Sequence, residues 1–162
     1  MIVALSRYGG LRTPSETLSL RWQDINWETN RIVVQSPKRK RHGKPTRMIP
    51  LFSELREHLE TSFELAPEGA VCVVDERFRK ALNPDDWGNC NLHTTFEKII
   101  ERAGLTQWPN LFHNLRDSRE TELVERFPVK VVAEWFGNTP TIPLRHYLMT
   151  TQEHFAKAVN GD

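Results

Sequence analysis

Cysteine is nearly absent: the 162 residues contain two, Cys72 and Cys90, far apart and in no CxxC pair. A disulfide-stapled scaffold is thereby excluded, and reduced thiols in a cytoplasmic protein are expected. A zinc site on Cys90 and His93 would need two more ligands at suitable spacing, and the sequence offers none. Long apolar runs are missing too. No stretch approaches a membrane span, and MIVALSRYGG turns polar too soon for a secretory signal. There are no repeats, low-complexity tracts or internal linkers. Nor does one sign of charge dominate: 22 Lys and Arg against 21 Asp and Glu leave a net charge of +1, which neither favours nor disfavours an anionic partner.

A chain that is 38% hydrophobic and 27% charged suits one soluble domain with a sizeable core, here expected to span residues 1–162. The charges are segregated along it. Ser36–Ser53 holds Lys38, Arg39, Lys40, Arg41, Lys44 and Arg47 with no acid, whereas Glu54–Glu76 holds seven acids against Arg56 alone. One basic and one acidic face can therefore coexist in a near-neutral protein.

Met1–Tyr8 reads as the end of a helix closed by Gly9-Gly10, which suggests that more chain once preceded it. Thr13-Pro14-Ser15-Glu16 is a helix-start pattern, with a helix running through Leu18, Leu20 and Trp22 to Asp24-Ile25-Asn26. Arg31–Gln35 and Thr46–Leu51 read as two strands of a hairpin whose tip, SPKRKRHGKP, is basic. A helix over Glu54–Glu64 should place Leu55, Leu59 and Phe63 on one side. Leu65–Gly88 is mixed, with a possible strand at Val71–Val74 and a short helix near Glu76–Leu82. Leu92–Ala103 is a helix ended by Gly104, and Thr151–Val159 a closing one.

The stretch with the most chemistry is Leu111–Tyr147. After the Pro109-Asn110 start, a helix carries His113 and Arg116, three apart and so on one face. A short apolar segment, Val129–Phe136, is followed by a Gly137-Asn138 break and then His146-Tyr147. Arg offers a fork to phosphate oxygens, His moves protons near neutral pH and Tyr is a possible nucleophile, so the group suggests phosphate chemistry. Each has a plainer reading: a surface ion pair, a packed tyrosine, a solvated basic loop.

Four segments in order carry a resemblance: GGLRTPSETLSLRWQDI, SPKRKRHGKPTRMIPL, FHNLR and WFGNTPTIPLRHY. Together they resemble the catalytic domain of the tyrosine recombinase (phage integrase) family over nearly the whole chain. The resemblance implies an α+β, mostly helical fold with a small antiparallel hairpin or sheet packed on a helical core. It implies that Arg12 and Arg116 clamp the non-bridging oxygens of a scissile phosphate, with His113 assisting. Tyr147 would attack the phosphorus, and Lys38 would protonate the departing 5′ oxygen, with Lys40 its competitor for that role. Arg39, Lys40, Arg41 and Lys44 would bind DNA. Neither metal, cofactor nor ATP is implied. Double-stranded DNA is the implied partner, with a homo-tetramer forming on it in the full-length protein. Family members also carry an N-terminal DNA-binding domain, and no sequence for one precedes the first catalytic helix here.

The chain departs from the family twice. Asn138 stands nine residues ahead of Tyr147, where His or Trp is common; Asn can donate a hydrogen bond to phosphate but cannot carry a proton. The acid usually three residues after the first arginine is four on, as Glu16, with Thr13-Pro14 absorbing the extra residue. Three functions follow: a DNA strand transferase, a DNA-binding module of the same fold that does not cut, and an unrelated phosphate- or RNA-binding protein. The lone histidines His42, His93 and His154 are expected to be ordinary surface or structural residues, and Trp22, Trp27, Trp108 and Trp135 to be core rather than base-stacking.

Overall fold

Helix α1 spans Ile2–Arg7 and stops at the glycine pair, where the chain reverses so that the Leu11 N–H reaches the Leu5 carbonyl at 3.1 Å. Both glycines are required there. Gly10 has φ 64, in the left-handed region, and a Cβ on Gly9 would lie 2.8 Å from the Leu5 carbonyl oxygen. The computed structural model describes residues 1–36, 45–78, 92–138 and 159. Two units divide the chain, Met1–Arg119 and Glu120–Asp162.

The expected helix from Thr13 does not form. Residues 13–19 are successive turns, followed by one 3-10 turn at Trp22–Asp24. The backbone that would have continued it is used elsewhere. The Trp22 N–H goes to the Val71 carbonyl (3.1 Å) and the Val73 N–H to that of Leu20 (3.0 Å), around a bridge between Arg21 and Cys72. Pairing with a distant segment outweighs local propensity, which is a weak term. The same bridge is all that forms of the strand expected at Val71–Val74.

Strands β1 (Ile25–Asn26), β2 (Arg31–Gln35) and β3 (Thr46–Pro50) make an antiparallel sheet in that order. The hairpin strands match expectation to within a residue, and β1 is an addition. Val33 faces Met48 and Val34 faces Arg47. Alternation buries Ile32, Val34 and Ile49 while Met48 stays exposed. The basic tip, residues 37–44 with Lys38, Arg39, Lys40, Arg41 and Lys44, lies outside the described residues.

Helix α2 (Ser53–Glu64) buries Leu55 and Leu59, as its spacing requires. Phe63 is instead exposed, its ring edge-on to Trp22 at 5.1 Å and 6.2 Å from Trp27, so it covers those half-buried indoles from outside. Of the helix expected near Glu76–Leu82, a 3-10 turn covers Glu76–Phe78 and the remainder lies outside the described residues. Helix α3 (Leu92–Arg102) ends before Gly104, whose φ is 69. Phe96 and Ile100 pack with Leu111 at the start of α4 (Leu111–Val124), and Phe96 stacks on Phe112 at 4.9 Å.

The second unit begins within α4. Helix α5 (Val129–Phe136) buries Val132, Ala133 and Phe136 and ends at Gly137 with φ 62, as the Gly137-Asn138 break predicts. The closing helix expected at Thr151–Val159 lies outside the described residues, apart from a helical Val159. Among the described residues no helix is long and apolar enough to cross a membrane.

Candidate active site

Arg12 emerges two residues after the Gly10 turn. Its main-chain N–H and its Nη1 both donate to the carboxylate of Glu16, each at 2.8 Å. The one-residue displacement of this acid thus leaves it able to hold the arginine. Glu16 is itself buried and is held from the sheet. Arg47 donates to both its oxygens, with Nη2 at 2.8 Å from Oε2, and the Ser36 hydroxyl donates to Oε1 at 2.7 Å. Arg47 also donates to the Ser36 Oγ at 2.7 Å. Five hydrogen bonds therefore converge on one carboxylate.

The electrostatics follow from that geometry. Burial alone pushes the Glu16 carboxyl upward. The hydrogen bond and charge of Arg47, then the charge and N–H of Arg12, reverse this and hold it at about 2. Glu16 is thus an anion at any working pH. The Arg12 side chain keeps 26% exposure against 1% for Glu16. In this cluster Arg12 is the member that can meet a phosphate arriving from solvent.

Arg116 comes to the same loop from α4. It is buried, and its Nη1 donates to the Gly10 carbonyl, two residues before Arg12. The helix is set for this by Leu111 in the aromatic cluster and by the Ser6 hydroxyl, which donates to the Phe112 carbonyl at 3.1 Å. His113 is placed differently. It is exposed at 70% and its Nε2 lies 3.4 Å from Asp117 Oδ2, so it shares the helix with Arg116 but not its burial. Further along, Arg119 lies over the Phe52 ring at 4.5 Å and forks onto Glu54 at 3.0 and 3.3 Å, tying α4 to the start of α2.

In the second unit the Asn138 amide nitrogen lies 2.9 and 3.0 Å from the two oxygens of buried Glu120. The Asn138 N–H caps α5 on the Ala133 carbonyl at 3.0 Å. Tyr147, like His146 and Lys38, lies outside the described residues. Among the described residues no three of His, Cys, Asp and Glu are grouped to hold a metal ion.

Ser36, Arg47, Arg119 and Glu120 were not singled out by the sequence reading, yet a signal existed. Arg47 stands in the apolar phase of β3 with Ile49, and Arg116, Arg119 and Glu120 occupy a helical stripe completed by Leu123. Charges at core-facing positions are rarely buried without partners, so they mark built contacts.

The model of the phage integrase family matches residues 1–154. The tyrosine recombinase XerA of Thermococcus kodakarensis is 28% identical over 163 residues, covering 97% of this chain and 53% of that protein. A XerC-like tyrosine recombinase of Caldanaerobacter subterraneus is 28% identical, covering 80% and 40% respectively. The chain thus spans about half the length of these curated relatives. In fold it is similar to a Tn1549 transposon integrase solved with transposon right end DNA (TM-score 0.71, 18% identity, 98% of this chain and 56% of that one). It is also similar to the XerA recombinase crystal structure (TM-score 0.70, 16% identity, 99% and 56%). Four sequence boxes, the arginine cluster and a family match over residues 1–154 agree, and the chain belongs to the phage integrase family.

Proposed function

We propose that this chain is the catalytic part of a site-specific DNA recombinase that cuts and rejoins strands through a 3′-phosphotyrosyl intermediate. The observation that carries this reading is the pairing of Arg12, fixed by Glu16, with Arg116, bonded to the carbonyl two residues before it. Two guanidinium groups, one on the loop and one reaching it from α4, suit the non-bridging oxygens of a phosphodiester and the charge of a pentacoordinate transition state. Tyr147 attacks the phosphorus through its phenolic oxygen. The bond to the 5′ oxygen breaks, and Lys38 gives that oxygen its proton. A phenol with an ordinary pKa of about 10 needs such cationic neighbours to act as the phenolate near neutral pH. The phosphotyrosyl bond conserves the phosphodiester energy, so religation draws on neither ATP nor a metal. His113, exposed on α4, assists at the phosphate.

Double-stranded DNA is the substrate, gripped also by Arg39, Lys40, Arg41 and Lys44 at the hairpin tip, and the full-length protein acts as a homo-tetramer in the cytoplasm. Because such contacts are made to backbone phosphates, binding weakens steeply as salt rises. The test is a nicked suicide duplex carrying the target site, incubated with chelator. The parent becomes covalently attached, and Tyr147→Phe binds equally and attaches nothing. Attachment surviving in Tyr147→Phe would remove the tyrosine from this role.

Lys38 has its own signature. A duplex with sulfur bridging at the 5′ position has a leaving group that needs no protonation, so Lys38→Ala cleaves it nearly as fast as the parent does. Lys40→Ala behaves normally on both substrates. Rescue of Lys40→Ala instead moves the role two residues along.

One observation favours a second reading, a module that grips DNA without cutting it: the Asn138 amide is engaged by Glu120. Under the recombinase reading, Asn138→His stays within about tenfold of the parent, about 1.4 kcal/mol in barrier. Its imidazole, unlike the Asn amide, can titrate and so adds a limb to the pH–rate profile. Asn138→Leu leaves the Glu120 carboxylate short of a donor and costs about 1–3 kcal/mol of stability, along with more than tenfold in rate. An almost inactive parent revived by several orders of magnitude in Asn138→His establishes the second reading.

A further inference from the structure

Arg47 is placed where a strand would ordinarily put an aliphatic side chain. It faces Val34 across the ladder, is 6% exposed, and shares its strand face with Ile49. A guanidinium in such a position is costly unless fully paired, and a packed apolar residue would hold the base of the hairpin as well. What Arg47 does that an apolar residue cannot is fix a carboxylate. Each Glu16 oxygen has one bond to Arg12 and at least one to the sheet. Oε1 accepts from Arg12 Nη1, Ser36 Oγ and Arg47 Nη1, and Oε2 from the Arg12 N–H and Arg47 Nη2.

The anchoring points are themselves rigid. Ser36 directly follows β2, and its N–H closes the ladder on the Pro45 carbonyl at 2.7 Å, while Arg47 lies inside β3. The loop that carries Arg12 is thus referenced to the sheet through a carboxylate with no rotational freedom left. Resting on the recombinase reading of Arg12, we propose that Arg47, assisted by Ser36, is a positioning residue for strand cleavage: by immobilising Glu16 it holds the main chain and guanidinium of Arg12 in place before DNA arrives. A planar fork is better suited to this task than an ammonium, because its two parallel bonds fix the carboxylate plane whereas a point charge on a flexible stem does not. Misplacing a catalytic group by about 1 Å costs on the order of a hundredfold in rate.

The test compares the parent with Arg47→Lys, which keeps the charge and loses the fork, by two readouts. The first is amide hydrogen exchange in the DNA-free protein. The Arg12 N–H, donated to Glu16 in the parent, exchanges about tenfold faster or more in the variant, while the N–H groups of Leu5 and Leu55, in α1 and α2, keep their protection. The second is single-turnover cleavage of the suicide duplex. The rate falls about ten- to a hundredfold and the half-saturating DNA concentration moves less than about threefold. In an Arg12→Ala background, Arg47→Lys costs less than about threefold further, because both changes remove the same step. Should Arg47→Lys not fold, Ser36→Ala carries the same comparison with smaller effects in both readouts, since it removes one of the five bonds to Glu16, along with the Arg47–Ser36 bond, and no charge.

Unchanged exchange at Arg12 overturns the proposal, and so does faster exchange with normal cleavage. A full, additive cost of Arg47→Lys in the Arg12→Ala background does the same, since Arg47 would then act elsewhere. A parent that never attaches to DNA refutes the recombinase reading instead, and the exchange readout alone then decides whether Arg47 positions Arg12.

Discussion

Arg116→Ala is expected to slow covalent attachment to a suicide duplex by a hundredfold or more, at least about 2.7 kcal/mol of transition-state stabilisation. Arg12→Ala belongs in the same range. Affinity for the duplex falls far less, because most of the binding energy comes from other backbone phosphates. The Arg116→Ala change also removes the donor to the Gly10 carbonyl and empties a buried site, so it acts through the fold as well. Arg116→Lys separates the two. It retains the charge and most of the volume but not the fork, and it should remain folded while losing most of the rate. If rate and affinity fell in equal proportion in both variants, the arginines would be docking residues with no special role in the transition state.

Glu16→Gln is the change expected to cost most in stability. It leaves the guanidinium of Arg47, nearly inaccessible to solvent, without its counter-ion. Breaking a buried pair from one side typically costs about 3–5 kcal/mol. The same figure emerges from the carboxyl itself. The gap between the ordinary value of 4.5 and a folded value of about 2 corresponds to roughly 3 kcal/mol. The sign is that of a depressed acid. Its contribution is fully present above about pH 4.5, where the unfolded chain is already ionised, and is lost as pH falls from there toward about 2. Urea unfolding of parent and Glu16→Gln across this range should give a stability difference that is constant above about pH 5.5 and shrinks steadily below about 4.5. A difference that stays flat between pH 3 and 6 would mean that Glu16 is not the charged hub of this cluster.

Legibility in the sequence followed the range of the interactions. The hairpin strands, α2, α3, the start of α4 and the Gly137 stop were readable because each is set by local alternation, helical spacing or a left-handed glycine. Residues 13–22 were not. A sound helix-start pattern lost to backbone pairing with Val71–Val73, about 50 residues away, which no local rule contains. The site divides the same way. Arg12, His113 and Arg116 came from motif spacing, but their surroundings did not. That Glu16 would be gripped by Arg47 and Ser36, or Asn138 by Glu120, depends on contacts between residues 18 to 31 positions apart. His113 and Arg116 also differ in burial: three residues along α4 separate a buried guanidinium from an exposed imidazole, a difference that helical spacing alone does not contain.

The central claim is that one tyrosine of this chain becomes joined to DNA. The most direct measurement is peptide mapping of the protein trapped on a suicide duplex: nuclease treatment to a residual nucleotide, then protease digestion and mass spectrometry of the modified peptide. The account predicts a single adduct, a phosphate ester on the side chain of Tyr147 that carries the 3′ end of the cut strand. An adduct on any other residue, or a duplex cut by this protein with no covalent intermediate, would contradict it.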